Sequence, residues 1–284
     1  MPTIFESYNK LKKDLETFGI EDAVFEAKQI IKAVTGLDNS GILSNYTRPL
    51  TEFEETNLKA ITVQRKVRYP LQYILGHWDF YGRRFKVGVG VLIPRQDTET
   101  VIECCLDFLK QKENPEVLDL CAGSGCIGIT LACEKKDSLV VLLEKYAEAA
   151  RYTKENISAL APDNATLVMG DVIQGDFNDR KYDLIVSNPP YVTADEMKAL
   201  QPELSHEPET ALLGGEDGLD FYRAIAKNYK SALKDNGRLV FEIGSTQAQA
   251  VAKILEENGF KDIEIKKDLA ELDRVVFGTL NTLE

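Results

Sequence analysis

The chain has 284 residues, 44% hydrophobic and 28% charged, which is long enough for two domains and ordinary for a globular protein. Its net charge of −12 and pI near 4.9 argue against a surface built to grip a nucleic-acid backbone, and favour a neutral or basic partner such as another protein. No apolar run approaches the ~20 residues that cross a bilayer, so no membrane partner is expected.

The N-terminus, MPTIFESYNKLKKDL, has neither an apolar core region nor a cleavage site, so a cytoplasmic location is expected. Residues 1–75 read as a small helical domain. Ile4, Tyr8, Leu11, Leu15 and Phe18 recur at steps of three and four, as do Val24, Ala27, Ile31 and Val34 before Gly36. Thr51-Glu52-Phe53-Glu54 has capping-box spacing and opens a further helix through Ile61 and Val67. The densest basic stretch, residues 64–68, lies here and is short. Residues 76–95, GHWDFYGRRFKVGVGVLIPR, alternate aromatic and β-branched residues with polar ones, and suggest a β-hairpin linking two domains.

From residue 96 onward, strand-like and helix-like segments alternate. Strands are expected at 116–120, 138–143, 165–169, 182–187, 237–243, 261–266 and 273–279. The clearest helices are expected at 219–234 and 246–258. Such alternation implies an α/β domain on a largely parallel, Rossmann-like sheet. The short connection into the last strand permits only antiparallel pairing there. The five cysteines, Cys104, Cys105, Cys121, Cys126 and Cys133, form no C-x-x-C pair and match no zinc spacing, so reduced thiols and no metal are expected.

EVLDLCAGSGCIGITLA (116–132) is a strand, a glycine turn and a helix, with Gly123, Gly125 and Gly128 at G-x-G-x-x-G spacing. The turn would let a ligand approach the backbone and meet the unpaired N–H groups of the helix start. Glu144, at the end of the next strand, is placed to accept from both hydroxyls of a ribose. Asp119 precedes the turn, where a carboxylate could orient the loop and face a cationic amino-acid end. Asp171, followed by Val172, is placed to accept from an adenine amino group, or alternatively to cap a helix. Either a nicotinamide dinucleotide or S-adenosylmethionine would suit these features.

VSNPPY (186–191) narrows the choice. Two prolines fix the backbone around Asn188 and leave only carbonyl acceptors at Pro189 and Pro190. Asn188 adds a side-chain acceptor, and Tyr191 a flat ring with a polar tip. Together they would hold a planar –NH2 group, orient its nitrogen and pack on its face. At average residue usage this tetrapeptide arises by chance in roughly one chain of this length per thousand. A nicotinamide enzyme would leave it unexplained.

DLCAGSG, the following acids and VSNPPY resemble a class I methyltransferase acting on planar amino nitrogens. PLQYILGHWDFYGRRFKVGVGVLIPRQDTE (70–99) and SHEPETALLGGEDGLDFYRAI (205–225) narrow this further. They resemble the glutamine N5-methyltransferase family that modifies peptide chain release factors, and the likeness covers essentially the whole chain. The resemblance implies methyl transfer from S-adenosylmethionine, leaving S-adenosylhomocysteine, to the glutamine of a Gly-Gly-Gln motif.

It further implies that Cys121, Ala122, Gly123, Ser124 and Gly125 form the methionine-side loop and that Glu144 holds the ribose. Asp171 and Val172 would flank the adenine. Asn188 and the Pro189 carbonyl would hold the substrate amide, beside Pro190, with Tyr191 packing on it. The N-terminal domain would receive the protein substrate, with a monomer and no direct nucleic-acid partner expected. This chain departs from the family where Cys121-Ala122 replaces a frequent Gly-Thr, where Gln96 replaces a frequent proline, and at Val172, which is aromatic in some relatives. Rival readings are a glutamine methyltransferase for a ribosomal protein, an adenine-N6 nucleic-acid methyltransferase, and a non-catalytic adenosine-binding translation adaptor.

Overall fold

Two threonines start the principal helices of the N-terminal region. In the computed structural model, which describes residues 1–160, 162–176 and 180–281, Thr3 and Thr51 accept from the N–H groups of Glu6 and Glu54. Each glutamate carboxylate reaches back to the threonine N–H. These reciprocal caps satisfy donors that a helix start leaves open, and they begin α1 (Ile4–Thr17) and α4 (Glu52–Lys66). Arg48 grips Glu54 at 3.0 and 2.8 Å and holds its carboxyl down to about 2.

Between them lie α2 (Ala23–Thr35) and the short α3 (Asn39–Ser44), and α5 (Leu71–Leu75) follows. Ile4, Leu11 and Leu15 bury as the periodicity predicts, together with Ile30, Ile31 and Leu50. In α2 the inward face is Ala23, Ala27, Ile30, Ile31 and Val34. Val24, expected inside, is 45% exposed because Ala23 occupies the inward position one residue earlier.

This helical unit, Met1–Gly76, also contains Gln201–His206. Arg65 joins the two stretches. It is 1% exposed and ion-pairs with Glu26 at 2.8 Å and Glu203 at 3.2 Å, while donating to the Tyr69 carbonyl. Arg68 adds a second pair to Glu203, at 2.6 Å.

The second unit comprises His77–Leu200 and Glu207–Glu284. It opens with an antiparallel hairpin of β1 (His77–Phe80) and β2 (Arg83–Lys86), turning at Tyr81 and Gly82. Residues 87–94 form no strand despite their β-branched content; Val87, Val91 and Ile93 bury as loop residues instead. Among the described residues, seven strands then build one sheet: β3 (Glu116–Leu120), β4 (Leu139–Glu144), β5 (Ala165–Met169), β6 (Tyr182–Ser187), β7 (Leu233–Glu242), β8 (Lys261–Lys267) and β9 (Asp273–Leu280). Their order is β5-β4-β3-β6-β7-β9-β8, and only β9 runs antiparallel to its neighbours. The sheet is therefore the expected Rossmann-like one with an antiparallel closing strand.

The helices that accompany it are α6 (Glu99–Leu109), α7 (Cys126–Glu134), α8 (Ala147–Leu160), α9 (Asp220–Asn228) and α10 (Ala248–Glu257). Alternation along each strand splits the core in two. Leu184 and Val186 of β6 bury in one cluster and Ile185 in the other. The helix expected over 219–234 stops at Asn228. Lys230–Ala232 tighten into a single 3-10 turn, and Leu233 already pairs with Tyr182.

Replacing Arg65 with Met would strand the Glu26 carboxylate and leave Glu203 with Arg68 alone. The expected loss is about 2–4 kcal/mol of unfolding free energy, somewhat below the usual cost of breaking a fully buried pair because Glu26 and Glu203 keep partial contact with water. Urea denaturation followed by helical circular dichroism measures it.

Candidate active site

The glycine loop leaves β3 at Leu120 and enters α7 at Gly125, whose φ of 81° suits a residue without a Cβ. Three backbone N–H groups converge on Glu144 at the end of β4. Gly123 donates to Oε2, and Lys145 and Tyr146 donate to Oε1, all at 2.8 Å. From α8, the Thr153 hydroxyl donates to the Gly123 carbonyl at 2.6 Å and Asn156 Nδ2 to the Ser124 carbonyl at 2.9 Å. The loop is thus held from two elements besides its own. Cys121 adopts a φ of 59° in this loop, a conformation uncommon for a residue with a side chain.

Asp119 is 1% exposed and accepts from the Gly128 N–H at 2.8 Å, so its carboxylate orients the start of α7. Its Oδ1 is buried without a partner among the described residues. Burial, with Glu144 as a lesser contributor, pushes the Asp119 carboxyl up to about 7.

A cavity opens over this loop, about 910 Å³ of space with its open mouth included. Cys121, Ala122, Gly123, Ser124, Glu144, Asp171, Val172, Asn188 and Pro190 all line it. Asp119, Gly125, Pro189 and Tyr191 lie outside the lining. Asp171 Oδ1 accepts from the Ile173 N–H and its Oδ2 pairs with Lys145, each at 2.9 Å. Against the cost of burial, these contacts keep its carboxyl below the ordinary range. Asp171 opens no helix; it closes a turn, and each of its oxygens carries one local bond.

At the other rim, Pro189 and Pro190 are buried and Asn188 is half-buried. The backbone beyond them is clamped by residues that no sequence motif singles out. Gln247 Nε2 donates to the Tyr191 carbonyl at 3.0 Å. Val192 N–H donates to the Leu212 carbonyl, and Gly214 N–H donates to the Val192 carbonyl, both at 2.8 Å. A Cβ on Gly214 would stand 2.7 Å from the Pro190 carbonyl oxygen and the Tyr191 Cα. Glycine is required there for the two segments to meet.

Glu207, also unanticipated, is buried. It accepts from the Ile93 N–H at 3.0 Å and pairs with Arg95, joining the turn before α6 to the wall formed by Pro208, Thr210 and Ala211. For Glu207 and Gly214 the only sequence signal was their place within one of the long family-like stretches, and Gln247 had none.

The buried carboxyl of Asp119 carries a pH signature. A carboxyl raised from 3.8 to about 7 in the folded state favours folding at low pH, and that contribution is lost as pH rises through about 7. Asp119→Asn should therefore gain on wild type by about 4 kcal/mol between pH 4 and pH 8, since each tenfold change in proton affinity is worth about 1.4 kcal/mol. Urea melts of both proteins at the two pH values measure the difference.

Residues 6–76 match the family described as PrmC N-terminal domain, and residues 97–216 the family described as Methyltransferase small domain. Curated proteins named release factor glutamine methyltransferase from Fusobacterium nucleatum subsp. nucleatum, Clostridium acetobutylicum and Thermodesulfovibrio yellowstonii are 39%, 37% and 36% identical to it. The alignments span 95%, 96% and 95% of this chain and 77%, 95% and 97% of theirs. Among solved structures, the hMettl16 catalytic domain in complex with the MAT2A 3′UTR hairpin 6 aligns with a TM-score of 0.55 at 15% identity. That alignment covers 68% of this chain and 75% of the other, a likeness of fold alone. Agreement along almost the whole chain decides the matter: this protein belongs to the family of release factor glutamine methyltransferases.

Proposed function

We propose that this enzyme transfers a methyl group from S-adenosylmethionine to the side-chain amide nitrogen, N5, of the glutamine in the Gly-Gly-Gln motif of peptide chain release factors. One observation carries the reading beyond the family name. A single cavity is lined both by the glycine loop with Glu144 and Asp171 and by Asn188 and Pro190.

The residues present fit the cofactor. The glycine loop leaves room for close backbone approach, Glu144 Oε2 retains acceptor capacity after its one bond to Gly123, and Ile127, Leu143, Val172 and Ala149 supply apolar walls. Glu144 would hold the ribose hydroxyls, Val172 would pack against the adenine, and residues 121–125 would form the floor beneath the methionine part. When bound, S-adenosylmethionine supplies an electrophilic methyl carbon on its sulfonium sulfur.

The chain's own task is to orient a weak nucleophile, because an amide lone pair is delocalised into its carbonyl. Asn188 Oδ1 would accept one N–H of the glutamine amide, and the carbonyls of the double proline would accept the other. Asn188 and Pro190 line the cavity; Pro189 and Tyr191 would fix the backbone from behind. Orientation of this kind can supply roughly 7–11 kcal/mol of barrier lowering, and fixed carbonyl dipoles favour the positive charge that grows on nitrogen. The buried prolines also keep water from the acceptors.

The helical unit would receive the release factor, a protein partner suited to an acidic chain. A monomer working in the cytoplasm, without a nucleic-acid partner, completes the reading.

Asn188→Ala tests it. Methylation of a purified release factor, followed by radiolabel and mapped by mass to the Gly-Gly-Gln glutamine, should fall by about 100-fold or more, as when one oriented polar group is removed from a transition state. Binding of S-adenosylhomocysteine by calorimetry should change little. Wild-type protein that leaves this glutamine unlabelled would refute the assignment.

A further inference from the structure

Amide methylation leaves unfinished business. After transfer, the substrate nitrogen carries its new methyl, two hydrogens and a positive charge, and one proton must leave. Glu242 and Thr98 stand where that proton can go, a role that rests on the function proposed above.

Glu242 ends β7, the strand beside β6. The two run parallel with Val186 opposite Val240 and Ser187 opposite Phe241, so continuing the register brings Asn188 beside Glu242. Val186 and Val240 bury on the same face of the sheet, and alternation returns the next-but-one residues, Asn188 and Glu242, to that face. Glu242 is 1% exposed and its Oε2 has no hydrogen-bond partner among the described residues. Thr98, likewise 1% exposed, lines the cavity, and its hydroxyl too lacks a partner of normal geometry among them. That hydroxyl stands by the Glu242 carboxyl and favours its ionised form. Two buried polar atoms left open beside each other, one at the cavity wall and one behind it, are costly unless used.

We infer that the Thr98 hydroxyl passes the proton shed by the methylated amide nitrogen to the Glu242 carboxylate. The N–H bond breaks and its electron pair stays on nitrogen. The proton joins Thr98 Oγ1 while the hydroxyl's own proton moves to the Glu242 carboxylate. A neutral N-methyl amide, an intact threonine and a neutral carboxylic acid result, and no oxidant or reductant is needed.

The groups around Glu242 are mixed in charge. Arg95 and Asp97 face it from the turn before α6, Arg274 from β9, Cys126 from α7, Tyr222 from α9 and Tyr191 from the double-proline loop. Arg274 is shared with Asp268 and Asp97. Burial above all pushes the Glu242 carboxyl up to about 7, against the pull of Thr98 and Arg274. A proton acceptor must be ionised, so turnover should rise with pH through about 7.

The test compares wild type, E242Q, T98V and T98S on a purified release factor, with circular dichroism and S-adenosylhomocysteine affinity as folding controls. E242Q and T98V should lose about 10- to 100-fold in kcat with KM nearly unchanged, at or below the usual contribution of a positioned proton acceptor because water can replace it slowly. Both should lose the rise through neutral pH, and T98S should restore it. Independently of turnover, the 13C resonance of the Glu242 carboxyl, assigned by its loss in E242Q, should titrate near neutrality and shift in T98V. Wild-type turnover on the release factor tests the underlying assignment; these comparisons test the relay alone. Folded E242Q or T98V with wild-type kcat and pH profile would overturn it, as would a Glu242 carboxyl that titrates in the ordinary carboxylate range. Should E242Q fail to fold, T98V and T98S decide.

Discussion

One carboxylate sets the shape of the cofactor side of this site. The N–H groups of Gly123, Lys145 and Tyr146 all point at Glu144, so the end of β4 and the loop after β3 are fixed to the same two oxygens. Backbone N–H groups at the ends of strands must find acceptors, and here one side chain answers three of them. The loop therefore has its form before any ligand arrives, and the same carboxylate remains on the cavity wall with acceptor capacity to spare. On the function proposed above, structure and recognition would share an atom pair, and no substitution of Glu144 would separate the two roles cleanly.

The opposite rim solves the converse problem. In Asn188-Pro189-Pro190-Tyr191 the two prolines offer carbonyl acceptors and no N–H donors, which on the proposed function would suit an incoming –NH2 group. Rigid prolines alone do not place such a segment. The bonds of Val192 and Gly214 and the amide of Gln247 hold it from outside, and the close approach of Gly214 makes that clamp possible. Ser187, the last residue of β6, donates to the Leu120 carbonyl at 2.8 Å, so the two rims are also tied where the strands end side by side. Preorganisation here belongs to the C-terminal edge of a parallel sheet, where neighbouring strands deliver their loops to one place.

Much of this was legible in the residues. Strand positions 116–120 and 182–187 appear as expected because central parallel strands are continuous apolar runs bounded by turn residues, and 165–169 appears as the edge strand β5. The antiparallel last strand followed from a connection too short for a crossover. Errors fell where local pattern was silent about competition. Val24 lost the inward place to Ala23, and the helix over 219–234 gave way once Leu233 found a partner in Tyr182. In the site, residues that present a group to the cavity were readable by type. Glu207, Gly214 and Gln247 were not, since each acts through a backbone group distant in sequence, and no spacing rule reveals such partners. Asp119 shows the limit most clearly: its position beside the loop was evident, but only the structure shows its oxygen turned to Gly128.

The acidity of the chain has a second cause besides its partner. A net charge of −12 suggests a surface chosen for what it meets, yet many of the informative carboxylates face inward. Glu54 caps a helix and holds Arg48, Glu203 receives Arg65 and Arg68, Glu207 receives Ile93 and Arg95, and Asp183 accepts from Glu116 N–H and pairs with Lys112 and Lys234. Each does its work by satisfying a donor that the fold would otherwise strand, which is a reason for carboxylates that has nothing to do with binding. Glu203 and Glu207 make the point within one segment. Four residues apart, they serve the helical unit and the sheet unit respectively, so the chain between the double proline and α9 carries an ion-paired carboxylate in each. An acidic composition here records how loops are fastened as much as what they meet.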